Sequence, residues 1–540
     1  MSQSVLREAV EKVPPNTSPP PPPKHSKKRR ITLRRVHKWL GITAALWLAI
    51  LGATGFFLDH RDWRFMWQVT VPDVLFPESI LKNKTAKEIA VYRINPNDAN
   101  QRIAAGKRGA WWSDDSGATW SPSVFDGPNH QTPQVLSVVE DLSDTWWYLY
   151  AATDDGLWRS SNGGVSFYRF ALRGEYINGL TYGSNSNEFL GVASRSSLFR
   201  LNINTGSHNK IDIAPVNENE VPKEFGLSRF VHDLHFGRGV VNGITSLLIN
   251  DAGGIAMVIL PLTGILFWLL PLRWKKRRAN SRPEHVSQRK AMRSLYGWHG
   301  VYIGILSTII IIYLAVTGII LDHRSELGGW MKTITLDRKW LPPVYNMSSW
   351  NDEIYSVAGY PGYPQKLGVG TRSGFYVTED NGQTWVREKL PGPSACFVWS
   401  LNRVGDFLFA GGMGCPNSLK KDGGVWKPVQ NVGHMPTDAS RLPSGGFAWK
   451  SPKGLMAVSA SGSATKLNIK EPKVAGAPLF YLLDGLHSGL IFHPQWKWIN
   501  DLISFMAIIL CVSGLYRLWR QRRIVVKCFL GIQKIVEFKR

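Results

Sequence analysis

The sequence is poor in cysteine and in acidic residues. Its 540 residues include four cysteines and no C-x-x-C-H motif, which argues against covalently attached c-type haem. No G-x-G-x-x-G follows a strand pattern, so a nicotinamide or flavin domain is not expected. Forty acidic residues stand against 64 lysines and arginines, a net charge of +24. These basic residues flank apolar runs rather than cluster on a folded module, which argues against nucleic-acid binding.

Four apolar runs are candidates for membrane-spanning helices. A span needs about 20 apolar residues to cross about 30 Å of hydrocarbon. Three runs meet this length without a charge, and the fourth is shorter and depends on Trp496 and Trp498 at the interface. The runs are Trp39 to Leu58, Ala252 to Leu272, Val301 to Leu321 and Leu502 to Tyr516.

Basic clusters at the ends of these runs predict the orientation in the membrane. Lys and Arg close to span ends favour the cytoplasmic side, so both termini and the middle loop are predicted to be cytoplasmic. The first run lacks a clear small-residue cleavage site and is expected to remain as an anchor. The clusters are Lys27, Lys28, Arg29, Arg30, Arg34 and Arg35; Arg273, Lys275, Lys276, Arg277 and Arg278; and Arg517, Arg520, Arg522 and Arg523.

The chain is a duplicated two-helix unit. The end of the first run, Thr54-Gly55-Phe56-Phe57-Leu58-Asp59-His60-Arg61, matches the end of the third, Thr317-Gly318-Ile319-Ile320-Leu321-Asp322-His323-Arg324. The second and fourth runs share a Leu-His, then an Asn-Asp, then a Thr-Gly or Ser-Gly. Both halves enter the membrane from the same side, so they are predicted to be parallel repeats related by a pseudo-twofold axis along the membrane normal.

These features divide the chain into nine predicted segments. The tail is expected to be disordered because its residues 14–23 are rich in proline. The segments are a cytoplasmic tail (1–35), helix one (36–60), periplasmic β-rich blades (61–240), helix two (241–272), a basic cytoplasmic loop (273–294), helix three (295–323), more β-rich blades (324–485), helix four (486–520) and a basic cytoplasmic tail (521–540).

A repeated turn motif in the two outer loops predicts β-propeller blades. The motif Ser-x-Asp-x-Gly-x-Thr-Trp resembles the Asp-box of sialidase-like propellers, in which the aspartate caps a hairpin turn. Copies start about 40 to 50 residues apart, the length of one blade. One shared propeller and two separate sheet domains both remain open. The copies are Ser113, Asp115, Gly117, Thr119, Trp120; Ser160, Asn162, Gly164, Ser166, Phe167; Thr378, Asp380, Gly382, Thr384, Trp385; and a degenerate Asp422, Gly424, Trp426.

Histidines concentrate at the predicted membrane boundaries. Ionisable residues there are costly and tend to mark relays, ion paths or cofactor ligands. Two imidazoles on opposite faces of a haem iron form a six-coordinate, electron-transferring b-type centre. The predicted ligands are His37, His60, His235, His299, His323 and His487, with His232 and His493 as weaker candidates because they lack counterparts in the other repeat.

The spacing of these histidines leaves their pairing open. His37 and His60 are separated by about 35 Å of helix, so they must serve different sites. They are also rotated by about 140° around an ideal helix, so both cannot face the same axis. Either the Asp-His segment unwinds beyond the helix, or the outer sites lie off-axis, with His60 and His323 paired to His235 and His487. His299 also falls one position out of register with His37.

Two aspartates near the outer membrane boundary are further candidates. Asp251 and Asp501 each follow an asparagine at the start of the second and fourth helices. They would relay protons, or bind haem propionates or substrate. Capping the start of a helix is the alternative role.

Cys396 and Cys415 share one outer loop. The sequence does not decide whether they form a disulfide there.

The membrane part resembles the PepSY-associated transmembrane proteins, which include bacterial inner-membrane ferrisiderophore reductases. The resemblance rests on His37-Lys38-Trp39-Leu40-Gly41, on Thr-Gly before the outer ends, and on the His, Asn-Asp and Ser/Thr-Gly order of the second and fourth helices. It implies non-covalent haem b, two groups, and electron transfer to a periplasmic acceptor, with ferric siderophore favoured. The donor would be a cytoplasmic reductant or a membrane quinol. The large outer loops depart from the family pattern.

The predicted fold is therefore four transmembrane helices plus an all-β, propeller-like periplasmic domain in the bacterial inner membrane. The predicted function is that of a membrane oxidoreductase. The competing class is a non-enzymatic receptor or scaffold whose propeller binds a periplasmic ligand, but such an anchor does not need paired histidines at both membrane faces. A propeller glycosidase would rest on analogy of fold alone.

Overall fold

The computed structural model describes residues 32–82, 87–126, 132–141, 146–279, 286–392 and 395–538. The proline-rich stretch at 14–23 and the basic residues at 27–30 lie outside this range. The helices are α1 (Leu33–Asp59), α2 (Phe65–Gln68), α3 (Glu78–Leu81), α4 (Leu227–His235), α5 (Ile244–Ala279), α6 (Val286–Tyr296), α7 (Ile305–Asp322), α8 (Arg324–Thr333), α9 (Leu479–Ser488) and α10 (Lys497–Phe538). A π-helical segment, Gly297–Gly304, joins α6 to α7.

Among the described residues, four helical segments are long and apolar enough to cross a membrane. They are Leu33–Asp59, Ile244–Ala279, Ser287–Asp322 and Pro494–Arg520. The four predicted spans are confirmed, and the fourth is longer than its apolar run indicated, because helix α10 begins at Lys497 and continues through the predicted tail. The protein is therefore a multi-pass membrane protein. Its helices α1, α5, α7 and α10 pack together around Ala44, Leu48, Ala256, Ile311, Ile503 and Ala507.

A glycine pair lies at a close contact between α1 and α5. A Cβ atom added to Gly52 of α1 would lie only 2.5 Å from the carbonyl oxygen of Gly254 in α5. Without hydrophobic driving force between helices in lipid, such small residues allow the backbone approach that stabilises a bundle by packing.

The described residues of the two outer loops form six antiparallel sheets, three from each loop. Sheet I contains β2 (Ile89–Ile94), β3 (Arg102–Gly106), β4 (Gly109–Ser113) and β5 (Ser121–Pro122). Sheet II contains β6 (Val124–Asp126), β7 (Val135–Asp141), β8 (Tyr148–Thr153), β9 (Gly156–Ser160) and β10 (Ser166–Ala171). Sheet III contains β11 (Ile177–Tyr182), β12 (Glu188–Ala193), β13 (Ser197–Asn202) and β14 (His208–Ile211). In sheet II the short β6 is an exception to the antiparallel order, since it runs parallel to β10.

The second loop repeats this arrangement. Sheet IV contains β17 (Ile354–Gly359), β18 (Leu367–Thr371), β19 (Phe375–Thr378) and β20 (Val386–Glu388). Sheet V contains β21 (Phe397–Val404), β22 (Phe407–Met413), β23 (Ser418–Lys421) and β24 (Lys427–Pro428). Sheet VI contains β25 (Asp438–Arg441), β26 (Phe447–Ser451), β27 (Gly454–Val458) and β28 (Ala464–Lys466). Two small pairs lie near the membrane: β1 (Thr70–Val71) with β29 (Ala477–Pro478), and β15 (Glu224–Gly226) with β16 (Thr335–Asp337).

One strand from each sheet contacts the corresponding strand of the next sheet. The order is β2, β7, β11, β17, β21 and β25, and β25 returns to contact β2. A buried ion cluster lies at this last junction. Arg93 of β2 contacts Glu140 of β7 at 3.1 Å and donates to Asp438 of β25 at 2.7 Å. The first and second loops are thus joined side by side, rather than folded as two separate sheet domains.

The repeated turn motif connects the third and fourth antiparallel strands of sheets I, II and IV. In sheet I the Asp115 carboxylate accepts hydrogen bonds from the Thr119 amide at 2.9 Å and the Thr119 hydroxyl at 2.6 Å. Hydrogen bonds from Thr119 lower the pKa of Asp115 to about 2. Asp380 makes the same contacts with Thr384. These aspartates stabilise turns, which is the structural role predicted for them.

Cys396 and Cys415 form a disulfide beside sheet V, with their Cα atoms 5.4 Å apart. Cys396 is the residue before β21 and Cys415 follows β22, so the bond ties the ends of one hairpin. The question that the sequence left open is answered in favour of a disulfide.

Candidate cofactor site

Four of the predicted histidines form two pairs. The imidazole of His37 in α1 lies opposite that of His299 in the π-helical segment, with ring centroids 6.5 Å apart. The imidazole of His235, at the end of α4, lies opposite that of His487 in α9, with centroids 6.2 Å apart. Each pair takes one histidine from each repeat. The pseudo-twofold relation inferred from sequence therefore brings equivalent halves face to face.

Each of these four histidines is held by a hydroxyl group from the other repeat. The Nδ1 atom of His37 lies 2.7 Å from Ser513 Oγ, and that of His299 lies 2.8 Å from Thr263 Oγ1. In the outer pair, His235 Nδ1 is 3.1 Å from Thr317 Oγ1, and His487 Nδ1 is 2.9 Å from Thr54 Oγ1. Neither repeat can therefore position its histidines without the other.

The residue after each hydroxyl is a glycine that packs against the same imidazole. A Cβ atom at these positions would stand 3.3 to 3.6 Å from the Cε1 atom of the histidine. This is a close contact on the edge of the ring beside the nitrogen that would bind iron. The four glycines and their histidines are Gly55 with His487, Gly264 with His299, Gly318 with His235, and Gly514 with His37.

The hydroxyl contacts fix which ring nitrogen carries the proton. Thr54, Thr263 and Thr317 each donate their single hydroxyl proton to a backbone carbonyl one turn earlier, at 2.7 to 2.8 Å. Their oxygen can then only accept a hydrogen bond from the imidazole, so Nδ1 is protonated. Nε2 keeps its lone pair and is the available ligand atom. This is the tautomer that metal-bound histidines adopt when a neighbouring acceptor holds the other nitrogen.

Burial favours neutral imidazoles in the outer pair. Desolvation, followed by the neighbouring His487, lowers the pKa of His235 to about 3. Desolvation also lowers the pKa of His487 to about 4. Both rings are therefore uncharged at neutral pH, as a ligand through Nε2 requires.

Two asparagines anchor the segments that carry the outer histidines. Asn250 donates from its amide to the carbonyl oxygen of His235 at 2.9 Å, and Asn500 donates to that of His487 at 3.2 Å. The Oδ1 atom of Asn500 accepts a hydrogen bond from the Trp47 indole at 2.8 Å. The Asn-Asp pairs recognised in the sequence thus contribute their asparagine to the outer pair.

The other two predicted ligands are placed differently. His60 Nε2 contacts the Asp251 carboxylate at 3.1 Å, and His323 Nε2 contacts Asp501 at 2.7 Å. They therefore pair with these aspartates and not with His235 and His487. Helix α1 ends at Asp59, and α7 ends at Asp322, so the following histidine lies beyond regular helix in both repeats. This matches the first of the two alternatives left by the spacing.

The aspartates do not cap helices. Asp251 lies about two turns into α5, and Asp501 is the fifth residue of α10, so neither occupies an N-cap position. Both are buried. One carboxylate oxygen of Asp501, Oδ1, is buried without a hydrogen-bond partner among the described residues. Their part in proton relay or ligand binding stays a prediction.

The two weaker candidates have local contacts of their own. His232 lies one turn before His235, and its Nδ1 atom is 3.5 Å from the carboxylate of Asp233. His493 is exposed, and its Nδ1 atom accepts the Gln495 amide at 3.1 Å, which caps a short turn before α10. Neither ring faces another imidazole in the part of the chain that the structure describes.

The π-helical segment explains the one-residue offset between His37 and His299. A π turn closes i to i+5 hydrogen bonds and so takes in one more residue than an α turn. His299 lies inside this segment, whereas His37 lies in regular α-helix. The extra residue keeps His299 facing His37 although the two sequences are out of register.

We expect Gly304→Ala to disturb this segment, to displace His299 from His37 and so to weaken retention of a cofactor that the inner pair would hold. A Cβ atom on Gly304 would lie 2.5 Å from the carbonyl oxygen of His299, which no side chain tolerates. Gly329→Ala in α8 is the matched control, since nothing lies within 4 Å of its added Cβ. Cofactor stoichiometry of the purified variants measures the effect, and equal retention in both would contradict the role of the π turn.

A buried network of charged side chains links α4 to the sheets. Asp233 accepts from Arg229 at 2.5 Å, from Arg372 at 3.2 Å and from the Tyr345 hydroxyl at 3.1 Å. Arg372 lies in the turn between β18 and β19 and also contacts Glu353 at 3.6 Å. Because α4 ends in His235, sheet IV and the outer histidine pair share one rigid connection.

The hydroxyl contacts and this network were not predicted from the sequence. Thr-Gly and Ser-Gly were recognised only as repeated features of the helices. Their spacing from the histidines was the available signal, since all four pairs occupy equivalent places in the two repeats. Among the described residues no three or more His, Cys, Asp or Glu side chains converge as a site for a bare metal ion.

The fold and the site define a duplicated four-helix membrane protein that carries facing histidines at both ends of its bundle. A family model of the PepSY-associated TM region matches residues 34–522. The chain belongs to this family, which confirms the resemblance seen in the sequence. No curated protein matches the chain.

Solved structures give only distant similarities. An ancestral GH74 enzyme has a TM-score of 0.32 and 12% identity, over 74% of this chain and 39% of that one. The extracellular domain of the one-component system BT4673 from B. thetaiotaomicron has a TM-score of 0.33 and 11% identity, over 72% of this chain and 34% of that one. The chain thus spans little more than a third of these structures, and at such scores neither carries an argument about function.

Proposed function

We propose that this protein is a membrane oxidoreductase that moves electrons across the bilayer and holds two non-covalent b-type haems. The observation that carries the proposal is the pair of facing imidazoles at each end of the helix bundle, His37 with His299 and His235 with His487. A cofactor-free anchor has no need of two such pairs.

The separation of the rings fits the proposed ligand role. Histidine nitrogen binds a metal at about 2 Å, so two imidazoles on one iron have ring centroids roughly 6 Å apart. The two observed separations, 6.5 and 6.2 Å, agree with this value. The protonated Nδ1 atoms point to their hydroxyl partners, which leaves each Nε2 for the iron. Haem held by two imidazoles supplies a one-electron carrier at each end.

The two pairs lie near opposite faces of the bilayer. Thr54, which holds His487 of the outer pair, lies 17 residues after His37 of the inner pair. At 1.5 Å per residue this separates the pairs by about 25 Å, close to the thickness of the hydrocarbon core. The chain's own residues thus hold two equivalent ligand sets, one toward each side.

We further propose that the sheets lie in the periplasm of a bacterium and that both termini are cytoplasmic. The basic clusters and the disulfide support this orientation. The ring of contacts among the six sheets supports a six-bladed propeller, with Asp-box turns in three blades. In this arrangement a cytoplasmic reductant or a membrane quinol is the electron donor, and a periplasmic ferric siderophore is the favoured acceptor.

We predict that Thr54→Val raises the midpoint potential of the outer haem by some tens of millivolts. Loss of the hydroxyl acceptor makes His487 a weaker electron donor, which favours reduced iron over oxidised iron. Thr263→Val is the matched variant, since it removes the same contact from His299 and should shift the inner haem only. Potentiometric titration followed by absorbance separates the two. A shift of both haems by either variant would contradict the assigned contacts.

Proteoliposomes test the proposed function directly. Ferricyanide is trapped inside, ascorbate is added outside, and bleaching of ferricyanide reports transmembrane electron transfer. We expect bleaching with the wild-type protein and none with empty liposomes or with His37→Ala. A ferric siderophore in place of ferricyanide then tests the acceptor. Haem-loaded protein that never bleaches ferricyanide would favour the receptor function instead.

A further inference from the structure

A group of basic side chains lies where the first span meets the sheets. Asp62 follows α1 by three residues, and its carbonyl oxygen accepts from the Gln134 amide at 2.9 Å. Its carboxylate contacts Lys107 Nζ at 3.2 Å and the guanidinium of Arg195. Lys107 lies in a turn of sheet I, Gln134 immediately precedes a strand of sheet II, and Arg195 lies in a turn of sheet III. The residues that follow the first span therefore contact three sheets.

Positive charge exceeds negative charge in this place. The basic cluster, as we name it here, consists of Arg61, Lys107, Arg195 and Arg238. Two carboxylates contact it: Asp62, which bridges Lys107 and Arg195, and Asp352, which lies 3.3 Å from Arg195 and 3.8 Å from Arg238. Four cations thus share two anions.

Arg61 is the cation left over. Among the described residues its guanidinium forms no hydrogen bond or ion pair, and its attraction to the Asp62 carboxylate acts over a longer distance. The nearest other carboxylates are engaged, because Asp59 contacts Asn250 and Asp251 contacts His60. Burial, and then the neighbouring Arg238, lower the pKa of Arg61. A half-buried guanidinium among other cations is unfavourable unless an anion binds there, and its planar fork matches a carboxylate.

The basic cluster lies on the outer side of the outer histidine pair. Arg61 lies two residues beyond the end of α1, the helix that carries Thr54, the hydroxyl partner of His487. It also lies close enough to His232 in α4 to affect its charge. A ligand held by Arg61 would therefore be placed between the sheets and the outer pair.

We propose that the basic cluster is a binding site for carboxylates, with Arg61 as the residue that receives them. The site deepens the proposed function, because the carboxylates come from one of two sources: the propionates of a haem between His235 and His487, or a soluble polycarboxylate chelate that arrives through the sheets. In both cases Arg61 forms a paired, charge-assisted hydrogen bond that Lys107, Arg195 and Arg238 reinforce.

The test uses full-length purified protein with citrate as the soluble probe. Binding of citrate is measured by calorimetry, and haem content at each site by absorbance, in the wild type, Arg61→Met and Arg61→Lys. Arg441→Met is the charge-matched control, because Arg441 is exposed at the end of β25. Arg238→Met serves as a second variant if Arg61→Met does not fold.

If the site receives a soluble carboxylate, citrate should bind, and Arg61→Met should weaken its affinity tenfold or more. Arg61→Lys should have an intermediate effect, and Arg441→Met should have none. If the site instead receives haem propionates, Arg61→Met should lose the outer haem and keep the inner haem. Citrate should then not bind to the haem-loaded protein. If Arg61→Met changes neither quantity, the proposal is wrong. Citrate binding that depends on Arg61 in a protein without haem would uphold this site and reject the proposed electron transfer.

Discussion

Replacement of His37 by alanine is expected to halve the haem content, from two haems per chain to one. The ring centroids of His37 and His299 lie 6.5 Å apart, and no other described imidazole could replace His37 opposite His299. The remaining haem should retain the spectrum of the outer site, since His235 and His487 contact hydroxyls at the far ends of the same helices. Haem-to-protein stoichiometry, measured by the pyridine haemochrome spectrum, gives the result.

Matched variants make this expectation specific. His299→Ala should reproduce the effect of His37→Ala, and His487→Ala should remove the other haem. His493→Ala is the control, because its exposed ring caps a turn and faces no other imidazole. Retention of both haems in His37→Ala would contradict the inner pair. If only His493→Ala loses haem, the haem ligands are not the proposed pairs.

Asp233→Ala is expected to destabilise the protein by about 3 to 5 kcal/mol. The change leaves Arg229 and Arg372 buried without their shared carboxylate. Removing one partner of a buried ion pair has this cost because the remaining charge is no longer compensated. The loss should appear as a lower midpoint of denaturant unfolding in detergent. It should also release the outer haem before the inner one, since α4 carries both Asp233 and His235.

Asp155→Ala is the control for this prediction. Its partner Arg169 is partly exposed, so loss of the pair should cost less than about 1 kcal/mol. Equal destabilisation by the two variants would contradict a special role for the buried network.

The same network predicts a dependence on pH. Burial alone would raise the pKa of Asp233, but Arg229 and Arg372 outweigh it and hold the pKa well below its usual value. The folded state therefore favours the ionised carboxylate. Its contribution to stability is complete above about pH 4 and is lost as the pH falls further. Asp233→Ala should show a flatter decline of unfolding free energy in acid than the wild type.

The membrane architecture was predictable because its signals are local. Each span is a continuous apolar run, and the match between residues 54–61 and 317–324 identifies the duplication without a structure. The outer sheets were only partly predictable. The repeated turn motif marks sheets I, II and IV, and its degenerate copy lies in sheet V, whereas sheets III and VI carry no such turn and could be inferred only from loop length.

The pairing of histidines was not predictable, for three-dimensional reasons. His60 and His323 share the boundary with His235 and His487, and sequence spacing does not distinguish a partner across the pseudo-twofold axis from an aspartate in the same repeat. The π turn around His299 has no sequence signature of its own, so the one-residue offset looked like a mismatch. The excess positive charge around Arg61 depends on which acids reach the basic cluster, and Asp62 and Asp352 come from different outer loops.

The absorbance spectrum of the purified protein, oxidised and then reduced with dithionite, tests the central claim most directly. Protein expressed with ample haem should show a Soret band that shifts on reduction, sharp bands of six-coordinate b-type haem, and two haems per chain. The absence of a Soret band would contradict the assignment of the two histidine pairs as haem ligands.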